Sequence, residues 1–88
     1  MVERYAPCFS DLATEFILNL PKRRQRRAVD CAYTLARRPT AVSDYIMLDS
    51  AGHKVEHLLT EGFIFAYWID HAHRLVMITE IDDAKYSG

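Results

Sequence analysis

The sequence predicts an α+β domain in which a two-helix hairpin packs on one face of an antiparallel sheet. Three observations predict it. The spacing of apolar residues changes near residue 40, from helical recurrence to alternation by two. Two apolar runs, residues 63–69 and 75–81, flank the polar break Asp70-His71-Ala72-His73-Arg74 and read as a β-hairpin. The first run is apolar on both faces, with Phe63, Phe65, Tyr67 and Ile69 on one and Ile64, Ala66 and Trp68 on the other. A strand of that kind is covered on both sides and sits centrally in a sheet. The rest of the chain is therefore expected to pack around it.

The elements follow in order. Residues 2–9 alternate as a strand, and Pro7, which lacks an N–H, makes it an edge strand or one that ends there. Ser10 and Asp11 are helix-start residues. Leu12, Ala13, Phe16, Ile17 and Leu20 then recur at helical spacing, and Asn19 and Pro21 stop that helix. A second helix spans residues 22–38. Its apolar stripe is Ala28, Val29, Ala32, Leu35 and Ala36, with Cys31 at the margin, and Pro39 ends it. Residues 45–48 form a short strand, and Asp49-Ser50-Ala51-Gly52 turns the chain, Gly52 being able to take positive φ. Residues 53–60 are the next strand, with His53, Val55, His57 and Leu59 on one face and Lys54 on the other. Glu61-Gly62 leads into the hairpin, and the polar tail, residues 82–88, is expected to fray. The order is β-α-α-β-β-β, with one extra strand if residues 45–48 are regular.

The 88 residues make one domain, residues 1–88, and the 50% that are apolar suffice for one modest core. The net charge of −1 hides an asymmetry. Residues 22–38 hold Lys22, Arg23, Arg24, Arg26, Arg27, Arg37 and Arg38 against Asp30 alone, while residues 39–88 are acidic. Two readings fit: a solvated helix face, or a segment that meets an anionic partner such as nucleic acid or acidic protein. The bases from Lys22 to Arg27 crowd the positive pole of their helix, where cations are locally unfavourable. They are spread around the cylinder as a collar, outside the apolar stripe. Residues 1–11 are too polar for an export signal, and no apolar run approaches the ~18 residues of a membrane span. Cys8 and Cys31 fit a reducing cytoplasm and no metal motif. With glycine only at 52, 62 and 88, there is no phosphate loop or nucleophile elbow, and no cofactor is expected.

Several features together resemble the RelE/ParE superfamily, the toxins of bacterial type II toxin–antitoxin modules. They are the first strand and the helical hairpin ending Leu35-Ala36-Arg37-Arg38-Pro39. Next come Asp44-Tyr45 with Asp49 and Gly52, then Gly62 before Tyr67-Trp68-Ile69-Asp70, and the apolar last strand. The resemblance covers nearly the whole chain and rests mostly on apolar patterning. It implies a cytoplasmic growth inhibitor whose partner is an antitoxin protein. RelE-like members cut messenger RNA on the ribosome; ParE-like members lack the catalytic set and poison gyrase. The family's arginine before the tyrosine is here Ile64, and the basic end of the last strand is here Glu80, Asp82 and Asp83.

The candidate catalytic residues are His53, Lys54 and His57, on the strand where such toxins keep catalytic bases. His53 and His57 stand roughly 13 Å apart at ~3.3 Å per residue, too far to share one metal ion. The dull reading is a pair of exposed strand histidines. Asp70, His71 and His73 read as a solvated loop, with a metal site as the alternative. Tyr67 and Trp68 read as core or interface, with base stacking as the alternative. The candidate binding residues are Lys22, Arg23, Arg24, Arg26, Arg27, Arg37 and Arg38, facing an antitoxin, the ribosome and its message, or another target. An antitoxin or a second copy of the chain is expected on the sheet edge or its open face.

Overall fold

Ser10 shows how local chemistry sets the frame. Its hydroxyl accepts from the Ala13 N–H at 3.1 Å and so caps the first helix, α1 (Asp11–Leu18). The same hydroxyl donates to the Thr79 carbonyl at 2.6 Å, tying that cap to the last strand. The computed structural model describes residues 4–39 and 43–84. Around α1 lie β1 (Ala6–Phe9), α2 (Lys22–Arg37), β2 (Tyr45–Leu48), β3 (Lys54–Thr60), β4 (Phe63–Asp70) and β5 (Leu75–Asp83). Pro21 precedes α2 without a side-chain cap. Gln25 secures the corner instead, its side chain donating to the Leu20 carbonyl at 2.8 Å. The expected strand start at Val2 and Glu3, and the end of the tail from Lys85, lie outside the described residues.

The five strands form one sheet in the order β1-β5-β4-β3-β2, with β4 in the middle as its two apolar faces require. From β2 to β5 every pairing is antiparallel, joined by tight turns. Glu61 and Gly62 both take positive φ, 53° and 85°, which is the twist a two-residue hairpin turn needs. The first strand differs from the expectation: β1 joins β5 parallel, with Cys8 opposite Met77, so the sheet is mixed. Parallel neighbours need a long crossover, here supplied by everything between them, helices included. Pro7 is accommodated because β1 is an edge strand.

The helices cover one sheet face. Phe63, Phe65 and Tyr67 of β4 and Val76, Ile78 and Ile81 of β5 are buried against Ala13 and Ile17 of α1 and Ala28, Ala32, Leu35 and Ala36 of α2. Cys31, expected at the margin, is 8% exposed and belongs to this core. A bulge at Thr79 shifts the phase of β5: Ala66 opposes Glu80 while Tyr67 opposes Ile78, leaving Thr79 extra. Beyond the bulge Ile81 therefore faces the helices, and Glu80 and Asp82 face away. The tail was expected to fray from residue 82, yet β5 runs to Asp83 because Asp83 pairs with Phe63.

Paired residues of neighbouring strands share a face, which defines the other side of the sheet. Tyr45, Met47, His57, Leu59, Ile64, Trp68 and Met77 lie there, together with Glu80 and Asp82. No described element covers this face. Tyr45, Met47, Leu59 and Trp68 are all exposed.

Candidate functional site

The seven predicted basic residues do not act as one cluster. Arg24 turns inward, its guanidinium 3.1 Å from the Asp83 carboxylate and 4.7 Å from the centroid of the Phe63 ring. It is a structural residue on the margin of the core, which corrects its placement in a collar outside the packed surface. The cause is its position on the helix: from Arg24, Ala28, Cys31 and Leu35 are four, seven and eleven residues on, all on the buried side. Lys22 and Arg37 are exposed at the two ends of α2.

Arg23, Arg26, Arg27 and Arg38 do come together. They rim a groove of about 530 Å³ between α2 and β3, whose other walls are Asp30, Cys31, Thr34, Leu35, Leu58, Thr60 and Glu61. None of the four arginines forms an ion pair with a described residue. The floor is apolar. Burial pushes the Cys31 thiol up, with the Thr60 hydroxyl opposing, which disfavours its thiolate. Spacing from Arg23 could have revealed this stripe. The wall contributed by β3 could not be read from sequence.

The catalytic candidates separate differently from the expected alternation. His53 precedes β3 and belongs to the turn. The Asp49 carboxylate accepts from the His53 N–H at 2.8 Å and from the Ala51 N–H at 2.9 Å, and it contacts His53 Nδ1 at 3.3 Å. Those contacts hold the Asp49 carboxyl below the usual range, the His53 N–H foremost. His53 and Lys54 line a second groove of about 450 Å³ with Ile46, Glu56, Trp68, Ile69 and His71. His57 lies on the open face, stacked on Tyr45 with ring centroids 4.6 Å apart. His53 thus sits one residue before β3, at the second groove, while His57 is within β3 and stacks on Tyr45.

His71, in the β4–β5 turn, was not a catalytic candidate in the sequence. It lines the second groove and shares a hydrogen bond of 2.7 Å with the Tyr5 hydroxyl. The contact joins it to a residue far away in the sequence. Its neighbours Asp70 and His73 close the turn, with His73 Nδ1 2.9 Å from the Asp70 carboxylate. That contact, with the His73 N–H, lowers the Asp70 pKa. Among the described residues no three His, Cys, Asp or Glu side chains gather to hold a metal. Tyr67 lies under the helices, and burial, with Glu56 and Asp44 nearby, pushes its phenol to about 12. No strand residue on the open face is lysine or arginine.

The fold has solved counterparts. No family model matches the chain, and no curated protein matches it. Solved chains from toxin–antitoxin complexes do, among them three. One is from the complex RelBE of Mycobacterium tuberculosis, 23% identical, with a TM-score of 0.76 over 92% of this chain and 99% of that one. One is from the archaeal RelE–RelB complex of Pyrococcus horikoshii, 11% identical, with a TM-score of 0.71 over 97% and 100%. One is from the intact E. coli RelBE complex, 12% identical, with a TM-score of 0.58 over 91% and 96%. At these identities the likeness establishes the fold, which is RelE-like, as the sequence resemblance implied.

Proposed function

We propose that the chain is the toxin-like component of a type II toxin–antitoxin module, neutralised by an antitoxin protein. The observation that carries this reading is the end-to-end likeness to chains from toxin–antitoxin complexes, 92% of this chain against 99% of that in one case. The surface supports it. Tyr45, Met47, Leu59 and Trp68 stand exposed on a sheet face that no described element covers, and patches of that kind mark protein interfaces. A second copy of the chain is the other occupant that such a face accepts.

The inhibitory step follows from where charge sits. Glu80 and Asp82 lie on the open face, and its strands present no lysine or arginine to hold a phosphate backbone. Inhibition by binding a protein target fits this face better than cleavage of RNA upon it. Ribosome-dependent cleavage of messenger RNA is the second reading. One observation favours it: His53, Lys54 and His71 line a single groove, where imidazoles can move protons and an ammonium can hold a phosphate. Incubation with translating ribosomes, followed by mapping of message ends, separates the two. Intact messages together with arrested growth support protein binding. Cuts that disappear in the His53→Ala/Lys54→Ala variant support cleavage.

A further inference from the structure

We infer that the groove between α2 and β3 is a docking site for an acidic, apolar-bearing segment of a partner protein. The rim comes from spacing. Asp30 and the arginines 26, 27 and 38 lie seven, three, four and fifteen residues beyond Arg23, so they track one flank of the helix. Arg23 to Arg38 spans ~22 Å along the axis at ~1.5 Å per residue. The opposite wall is β3, through Leu58 and Thr60, and Leu35 and Cys31 form the floor.

Charge and surface together select the occupant. Four guanidinium groups face two carboxylates, Asp30 and Glu61, leaving the groove cationic. None of the four forms an ion pair with a described residue. Guanidinium forks match carboxylates bidentately, and leucine and cysteine below suit aliphatic side chains. A nucleic-acid strand fits less well. Its bases need aromatic platforms, and no aromatic residue lines the groove. An extended segment of about seven residues fills ~22 Å, acids toward the rim and apolar groups toward the floor. The site deepens the antitoxin reading above and rests on it for the partner's identity.

The probe is a fluorescein-labelled peptide of about eight residues alternating glutamate with leucine or valine. Its control carries glutamine for glutamate. Anisotropy should show saturable binding of the acidic peptide, about tenfold weaker binding of the control, and weakening with added salt. The quadruple variant Arg23→Gln/Arg26→Gln/Arg27→Gln/Arg38→Gln should lose about tenfold or more in affinity while melting like the parent. A second variant, Thr34→Trp, keeps the rim but fills the groove, and it should lose binding too. Oligouridine should not displace the peptide. The site is overturned if the peptide does not bind, if either variant binds it like the parent, or if oligouridine displaces it. Co-expression with the adjacent gene's product separates this claim from the antitoxin reading. A complex formed equally by parent and quadruple variant overturns the groove and leaves the reading standing. Peptide binding without any such complex supports the groove and overturns the reading.

Discussion

Arg24 and Arg23 are adjacent in sequence and opposite in consequence. Arg24→Gln removes an ion pair to Asp83, at 3.1 Å and with both side chains mostly buried, together with the guanidinium over Phe63. A partly exposed pair contributes about 0.2–1 kcal/mol, and a cation over an aromatic ring about 0.5–2 kcal/mol. The two share one side chain, so their sum is bounded at about 1–2 kcal/mol. For a domain of this size that is a fall in melting temperature of roughly 5–15 °C. Arg23→Gln, which breaks no pair with a described residue, should stay within about 0.5 kcal/mol of the parent. Circular-dichroism melts of Arg24→Gln, Asp83→Asn and the double variant complete the test. The cycle should return a coupling of about 0.5–1 kcal/mol, smaller in high salt. Equal melting shifts for Arg24→Gln and Arg23→Gln would show that Arg24 is one more solvated helix base.

Other outcomes follow from the core and the turns. Leu35→Ala truncates a side chain 5% exposed beneath α2 and should cost about 2–5 kcal/mol in a chemical denaturation curve. Tyr67, raised to about 12, favours the folded state fully below its ordinary value near 10, and that contribution is lost as pH rises toward 12. Absorbance of phenolate should therefore show one tyrosine titrating late, and Tyr67→Phe should remove it. Asp70 runs the other way. Its lowered pKa stabilises the fold above the ordinary carboxylate range, and this is lost as pH falls through the folded value. Asp70→Asn should flatten the acid limb of a stability–pH curve. Cys31 should resist iodoacetamide at pH 8 until urea unfolds the chain, because burial disfavours its thiolate.

Most of the fold was legible because it is written in local periodicity. Ser10 and Pro21 bracket α1, Pro39 follows α2, and both faces of residues 63–69 are apolar, which put that strand in the middle of the sheet. What escaped reading depends on partners far away in the chain. The parallel pairing of β1 with β5 joins Ala6 to Leu75, and nothing near Ala6 states its partner. The bulge at Thr79 moved Ile81 and Asp83 to the helix side, so Asp83 became the counter-ion of Arg24 instead of part of a loose tail. The site was less legible than the fold. The basic residues of α2 looked like a collar because all were weighed together. Removing Lys22 and inward-facing Arg24 and adding Arg38 leaves a stripe, but the opposite wall needed Leu58 from β3. His53 falls one residue before β3, where the Asp49 carboxylate holds its N–H, a contact that strand alternation does not reveal.

The central claim is that this RelE-like chain arrests growth and that an antitoxin relieves the arrest. Inducing the chain in a bacterial host, alone and together with the adjacent gene's product, while following growth and purifying by a tag on this chain, tests it most directly. Arrest on its own, recovery on co-expression and a stable complex on the tag are predicted. Normal growth with the chain alone, at a level where folded protein is recovered, and no complex with the adjacent product would contradict it.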